Sequence, residues 1–108
     1  MYPDAWKDEA IIDIEIETID PKEKSRQFRI LIAKPIQHEG RYYCHMKFKG
    51  LNLSLMPQYG ENSLQALCKG ISYVKSELRE YVESHKMVLK YNNEITDLNS
   101  FEQFFEIK

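Results

Sequence analysis

Long apolar runs are missing from this chain of 108 residues. A transmembrane helix needs about 20 consecutive apolar residues, and the apolar runs here are short, as in Ile30 to Ala33. The N-terminus reads Met-Tyr-Pro-Asp-Ala-Trp-Lys-Asp-Glu, without the basic start and apolar stretch of a signal peptide. We therefore expect a cytoplasmic protein, and the length predicts a single domain over residues 1–108.

Cysteines and catalytic motifs are scarce as well. The two cysteines, Cys44 and Cys68, are expected to be free, buried thiols in a reducing cytosol rather than a disulfide. There is no G-x-S-x-G, H-E-x-x-H or C-x-x-C motif and no glycine-rich phosphate loop. His45 follows Cys44, but adjacent strand residues point to opposite faces, which separates thiol from imidazole. We expect no enzymatic activity, no metal and no cofactor.

Basic residues are not in excess, since the net charge is -2 and the pI is near 5.9. This balance excludes a generally basic nucleic-acid binder. The charge is distributed unevenly along the chain. Residues 1–20 carry seven acids and one base, whereas residues 22–49 carry eight bases and two acids.

Four segments with alternating polarity predict an antiparallel β-meander, because only short turns separate them. They cover residues 10–19, 26–34, 41–49 and 51–56. Pro35 ends the second strand because it has no N–H to donate. In the third strand, one face is predicted to carry Tyr42, Cys44, Met46 and Phe48. The other face is predicted to carry Tyr43, His45, Lys47 and Lys49.

One long helix is predicted over residues 62–85, with Asn62 as N-cap and Gln65 completing a capping box. Its apolar stripe comprises Leu64, Leu67, Cys68, Ile71, Val74, Leu78, Tyr81 and Val82. Gly70 weakens the helix by about 1 kcal/mol relative to alanine, and it favours the close approach of a strand. A short strand over 87–91 and a turn at Asn92-Asn93 follow, whereas residues 100–107 fit a helix or a strand.

The predicted fold is α+β: an antiparallel β-meander with one long helix packed on one face. The C-terminal aromatic residues Phe101, Phe104 and Phe105 are expected to seal one end of the core. The predicted core comprises Ile12, Ile14, Ile16, Phe28, Ile30, Ile32, Tyr42, Met46, Phe48, Leu53, Leu64, Leu67, Ile71, Val74 and Leu78.

The three carboxylates on the polar face of the first strand, Asp13, Glu15 and Glu17, form what we call the acidic row. They admit three interpretations: cross-strand pairing with bases such as Arg29 and Lys47, a partner-binding surface, or catalytic carboxylates. As a binding surface the row is extended by four residues of the N-terminal segment: Tyr2, Trp6, Asp8 and Glu9. Exposed tyrosine and tryptophan are typical of protein interfaces, and Tyr43 and Tyr59 likewise have no obvious core position.

The segment Gly60-Glu61-Asn62-Ser63-Leu64-Gln65-Ala66-Leu67 resembles a group of small uncharacterised bacterial single-domain proteins. Their long helix begins with a similar G-x-[DN]-S-[LF]-Q-A-L motif after a β-meander. The resemblance implies the same layout of strands followed by a helix, and no catalytic residue is carried over from it. In type rather than in motif, the chain is similar to the immunity proteins that bacteria pair with secreted toxins.

The favoured hypothesis is therefore a non-catalytic immunity protein that binds and neutralises a toxin domain, for example a nuclease. Its contact surface is the acidic row with the four N-terminal residues beside it. The alternative is a small regulatory or adaptor module. It would bind a peptide or nucleic acid through the strand face of Tyr43, His45, Lys47 and Lys49, because bases interleaved with aromatic rings suit such ligands.

Overall fold

The computed structural model describes residues 10–51, 53, 55–92 and 94–96, and it confirms the α+β fold. Within these residues, two antiparallel sheets share one long helix. The large sheet has the strand order β5-β2-β1-β7-β8, and the small sheet has the order β3-β4-β6. The elements are β1 (Ala10–Ile19), β2 (Ser25–Ala33), β3 (Ile36–His38), β4 (Arg41–Cys44), β5 (Met46–Lys49), β6 (Gln58–Gly60), α1 (Ser63–Ser84), β7 (Val88–Tyr91) and β8 (Glu94–Thr96).

The single strand predicted over residues 41–49 is wrong, because the chain passes from the small sheet to the large sheet at His45. Strands β2 to β5 form one long hairpin. It bends sharply near Pro35 and His45, and we call this bend the corner. Ile32 pairs with Met46 in the large sheet, and Ile36 pairs with Tyr43 in the small sheet. Between these pairs, residues 33–35 lie opposite residues 44 and 45, which is one extra residue on the first strand. Such a bulge bends a strand and lets it pass from one sheet to another.

Pro35 explains why the corner lies there. It cannot donate a ladder hydrogen bond, so the pairing of β2 with β5 ends just before it. The last bond of the large sheet at this point runs from the Ala33 N–H to the His45 carbonyl, at 2.9 Å. The hairpin then closes at Glu39 and Gly40, which both have positive φ, as the predicted turn requires.

The strand predicted over residues 51–56 is not found at its described residues, which are 51, 53, 55 and 56. The chain turns sharply at Gly50, where φ is +104° and an added Cβ would lie 3.1 Å from the Gln27 carbonyl oxygen. Leu51 and Leu55 pack at the margin of the core, whereas Leu53, predicted as a core residue, is 42% exposed. The next strand is β6, which is not among the predicted strands.

The helix begins where the capping pattern predicts. The Asn62 side chain accepts a hydrogen bond from the Gln65 N–H at 2.8 Å, and the Gln65 side chain accepts one from the Glu61 N–H at 2.8 Å. The second bond goes to the residue before the N-cap rather than to the N-cap itself, so it departs by one residue from the usual capping box. Two backbone donors at the helix start are thus satisfied.

The buried stripe of α1 differs from the predicted one. It comprises Ala66, Gly70, Val74, Leu78 and Val82. Because these residues recur every four positions, the stripe rotates by about 40° around the helix at each step. The first half of α1 therefore faces the small sheet and the second half faces the large one. Leu64 lies off this stripe and is 67% exposed, so its predicted core position is wrong.

Gly70 lies at the closest contact between α1 and the corner, as predicted. A Cβ added there would lie 2.6 Å from the Cys44 Sγ and 3.3 Å from the Met46 Sδ. These two residues flank the position where the chain changes sheets. A side chain at position 70 would push the helix away from both sheets at once.

The other predicted core residues are confirmed, although some are fully buried and others only partly. Ile16, Phe28, Ile30, Ile32, Met46, Phe48, Val74 and Leu78 are buried, and Ile12, Ile14, Tyr42, Leu67 and Ile71 pack partly against them. The side chains predicted to face inward from the third strand are confirmed on both sides of its break, since Cys44, Met46 and Phe48 are buried. Ala66, Val82 and Leu89 complete the described core.

The predicted strand at 87–91 is confirmed as β7, which pairs with β1 and with β8. Asn92 has φ of 54°, as a two-residue turn between Tyr91 and Glu94 requires. The prediction for residues 100–107, including the three phenylalanines, lies outside the described residues.

The contact at Gly70 leads to a stability prediction. Gly70→Ala would gain about 1 kcal/mol of helix propensity, but we expect a net loss of about 1–3 kcal/mol because the methyl group overlaps the Cys44 sulfur. In a Cys44→Ala background the same substitution should cost at least about 1 kcal/mol less. Urea unfolding of the four proteins measures this coupling.

The exposed helix position Ser72 provides the calibration. The difference between Ser72→Gly and Ser72→Ala gives the propensity effect alone in this helix. If Gly70→Ala stabilises the protein by as much as that difference, the close contact between α1 and Cys44 is refuted.

Candidate functional site

The acidic row lies on the outer face of the large sheet, on the side away from α1. In the pairing register, Asp13, Glu15 and Glu17 stand opposite Leu31, Arg29 and Gln27 of β2. On its other side, Glu17 stands opposite Lys90 of β7. Since β1 is the central strand of this sheet, the row runs along the middle of the face.

Two of the three carboxylates form ion pairs with neighbouring strands. Asp13 Oδ1 accepts a hydrogen bond from the Arg29 Nε at 2.9 Å, and Glu17 Oε2 lies 3.6 Å from the Lys90 Nζ. The predicted cross-strand pairing with Arg29 is therefore confirmed for Asp13, whereas the base that pairs with Glu17 is Lys90. The half-exposed pair of Asp13 with Arg29 contributes about 0.2–1 kcal/mol.

Glu15 differs from its neighbours, because it is exposed and no ion pair to it is found within the described ranges. It stands opposite Arg29, whose Nε is directed to Asp13 instead. Glu15 and Glu17 line a shallow depression of about 230 Å³ together with Gln27, Lys90 and Asn92. The most available negative charge of the row therefore lies at the wall of a concave site.

The outer face as a whole is not acidic. Besides the three carboxylates, its described residues include four bases: Arg29, Lys47, Lys49 and Lys90. Charge is arranged in stripes, with Lys90 on one side of the acidic row and the other three bases on the other side. A partner for this face needs a basic strip that fits between positive flanks.

A second exposed face lies on the outer side of the small sheet. Tyr43 pairs with Tyr59 in the register, and their ring centroids are 6.2 Å apart. The ring of His38 lies 6.3 Å from that of Tyr43. Two cations approach the Tyr59 ring, with the Arg41 Cζ at 5.0 Å and the Lys69 Nζ at 5.4 Å from its centroid. We call these five residues the tyrosine cluster.

The four residues of the alternative binding face are not one surface. Tyr43 belongs to the tyrosine cluster of the small sheet, whereas Lys47 and Lys49 lie on the outer face of the large sheet. His45 is only 9% exposed, at the corner between them. The prediction of a continuous Tyr/His/Lys face fails because the strand carrying it is broken.

The end of α1 brings a serine and a histidine together, but not as a catalytic pair. Ser84 Oγ donates to the Glu80 carbonyl at 2.6 Å and lies 3.2 Å from the His85 Nδ1. That Nδ1 lies 3.0 Å from the Tyr81 carbonyl, a pure acceptor. The hydrogen bond assigns the proton to Nδ1, so this nitrogen is no base for Ser84. Both side chains contact backbone carbonyls of the last helical turns.

The Cys44 thiol is equally unsuited to catalysis. Burial raises its pKa from 9.0 to about 11, so the thiol stays protonated at neutral pH. Because the pKa is higher in the folded state, its contribution to stability is complete below pH 9 and is lost as the pH rises towards 11. Cys68 is the more accessible of the two free thiols.

Metal-binding clusters and membrane-spanning helices are absent from the described part of the chain. No group of three or more His, Cys, Asp and Glu side chains is placed to hold a metal ion among these residues. No helix there has both the length and the apolar content needed to cross a membrane. The predicted contact residues Tyr2, Trp6, Asp8 and Glu9 lie outside the described ranges.

Comparison with protein-family models, with curated proteins and with solved structures finds no match to this chain.

The tyrosine cluster contains contacts that the analysis of the sequence missed. In the sequence, Tyr43 and Tyr59 have no obvious core position, and no strand is predicted at residues 58–60, so nothing joins Tyr59 to Arg41 and Lys69. The signal in the sequence is the short run Gln58-Tyr59-Gly60 just before the cap at Asn62. Its single large side chain faces outward while Gly60 packs against the helix start, where an added Cβ would lie 2.6 Å from the Ala66 nitrogen.

The difference in burial between the two thiols predicts their reactivity. In the native protein at pH 7.5 we expect one thiol per chain, Cys68, to react rapidly with a disulfide reagent, and both to react in denaturant. The measurement is the time course of thiol titration. Cys68→Ser should abolish the rapid phase, and an unchanged rapid phase in that variant would show that Cys44 is accessible.

Proposed function

We propose that this protein is a non-catalytic binding protein of the bacterial cytoplasm. It acts as an immunity protein that neutralises a toxin domain by covering it. The observation that supports this proposal is the acidic row in the middle of an outer sheet face, with Glu15 and Glu17 at a depression. Asp13, Glu15 and Glu17 form the centre of the contact, and Tyr2, Trp6, Asp8 and Glu9 extend it.

The partner chemistry follows from the charges of this face. A nuclease domain binds a polyanion through basic residues, so its substrate surface is complementary to a row of carboxylates. A lysine or arginine from that surface would enter the depression between Glu15 and Glu17 and compete with Lys90 for Glu17. Occupying the substrate surface blocks the toxin without any reaction.

The flanking bases give this contact an orientation. Because Lys90 lies on one side of the row and Arg29 with Lys47 on the other, a partner shifted by one strand would meet like charge. Complementary charges also accelerate the encounter, typically by about 10- to 1,000-fold at low salt. The stripes therefore favour rapid binding in a single register, as an immunity protein requires when toxin arrives.

The immunity function requires a large secreted protein to be encoded directly upstream, and the test uses the C-terminal domain of that protein. We expect this domain to co-purify with the protein, and the triple variant Asp13→Lys, Glu15→Lys, Glu17→Lys to slow association by about tenfold or more at low salt. The dependence of the association rate on salt should also become weaker. Surface plasmon resonance at several salt concentrations measures both quantities.

A matched control carries the same change of charge elsewhere. Glu23→Lys, Glu61→Lys and Glu80→Lys reverse three exposed carboxylates outside the acidic row, and circular dichroism confirms that both variants fold. If both triple variants lose affinity equally, the effect is one of net charge and the acidic row is not the site. If the wild-type protein does not bind the upstream domain, or no such domain is encoded, the immunity function is refuted.

A further inference from the structure

The segment that contains β6 and the first turn of α1 concentrates exposed apolar side chains. Seven large hydrophobic residues are exposed in the described part of the chain. Three of them, Met56, Tyr59 and Leu64, fall within residues 56–64, and each is more than half exposed. Tyrosine, methionine and arginine are enriched in protein interfaces. Contact of apolar groups with water is unfavourable, and a partner that covers them would remove this unfavourable contact.

Two positive charges converge on the same tyrosine. The Arg41 guanidinium and the Lys69 ammonium lie 5.0 Å and 5.4 Å from the Tyr59 ring centroid. Neither of them forms an ion pair within the ranges that the structure describes. The ring offsets part of their mutual repulsion, since cations are attracted to an aromatic face. Carboxylates of a partner would supply the missing countercharge.

We propose that the tyrosine cluster, with Met56 and Leu64, is a docking site for an acidic segment of a partner protein that also carries apolar side chains. Its carboxylates pair with Arg41 and Lys69. Its apolar side chains cover Met56 and Leu64, and Tyr59 is the anchor between the two kinds of contact. This surface is separate from the acidic row and does not rest on the proposed immunity function.

A protein segment suits this face better than a single-stranded nucleic acid does. Bases stack on free ring faces, but two cations already lie over the Tyr59 ring. A sugar-phosphate backbone also offers little to the aliphatic side chains of Met56 and Leu64.

The experiment measures binding of a short synthetic peptide in which Asp and Glu alternate with Leu and Phe, by fluorescence anisotropy. We expect binding to weaken at least about tenfold in Arg41→Glu, Lys69→Glu and Tyr59→Ala. Lys22→Glu and Lys24→Glu are the matched controls, because they make the same charge change in the exposed turn after β1. These controls should bind like the wild type.

Two further probes test whether a neutral peptide or a single-stranded nucleic acid binds at this surface. The same peptide with Asn and Gln in place of its acids should not bind, and neither should a single-stranded oligothymidine. The inference is overturned if the acidic peptide fails to bind the wild type, if the neutral peptide binds equally well, or if the control reversals are as damaging as Arg41→Glu. It is also overturned if the oligonucleotide, or a second copy of the protein in sedimentation, binds at this cluster instead.

Discussion

The corner at Pro35 and His45 is the constraint on which the rest of the structure depends. The pairing of β2 with β5 ends there because Pro35 has no N–H and the first strand of the hairpin has one extra residue. The hairpin therefore bends out of the large sheet. Both sheets then need cover for their inner faces. A single helix supplies it because its buried positions recur every four residues and so rotate from one sheet to the other. Gly70 keeps that helix close enough to touch Cys44 and Met46, on either side of the break.

The same corner separates two surfaces of different chemistry. On the large sheet, the acidic row runs between positive flanks, and Glu15 stands beside a depression. On the small sheet, two cations meet an exposed tyrosine, and the exposed Met56 and Leu64 lie on either side of it in the sequence. A continuous third strand would have merged these into one face of mixed polarity. Their separation makes it possible for one small domain to bind a basic partner and an acidic one independently.

The local features of the fold were predictable from the sequence, and the change of sheet was not. Alternation in Ile12, Ile14 and Ile16, the cap at Asn62 and the close packing at Gly70 each depend on residues near in sequence. The break at His45 depends on Pro35, ten positions away, because a strand ends when its partner can no longer pair. The alternation of inward and outward side chains continues across the break, since Cys44 and Met46 both face the core. The alternation therefore does not reveal the break. The wrong position of Leu64 has a related reason. A stripe with four-residue spacing and one with mixed spacing share Val74, Leu78 and Val82 and differ in the first half of the helix.

For the candidate sites, the sequence identified the acidic row and its pairing with Arg29. It did not identify Lys90 or the tyrosine cluster, whose members come together only through pairing between distant segments. Tyr43 meets Tyr59 because β4 pairs with β6 across the whole of β5 and the following loop. Charge patterns within one strand are visible in a sequence, whereas charge patterns across a sheet require the strand order.

The division into two sheets at His45 is tested most directly by nuclear Overhauser effects between backbone protons in solution. The account predicts contacts that join Tyr43 to Tyr59 and to Ile36, and contacts that join Lys47 to Leu31. Contacts that place Tyr43 opposite Pro35, continuing the register of β2 and β5 without the extra residue, would show a single unbroken strand and contradict it.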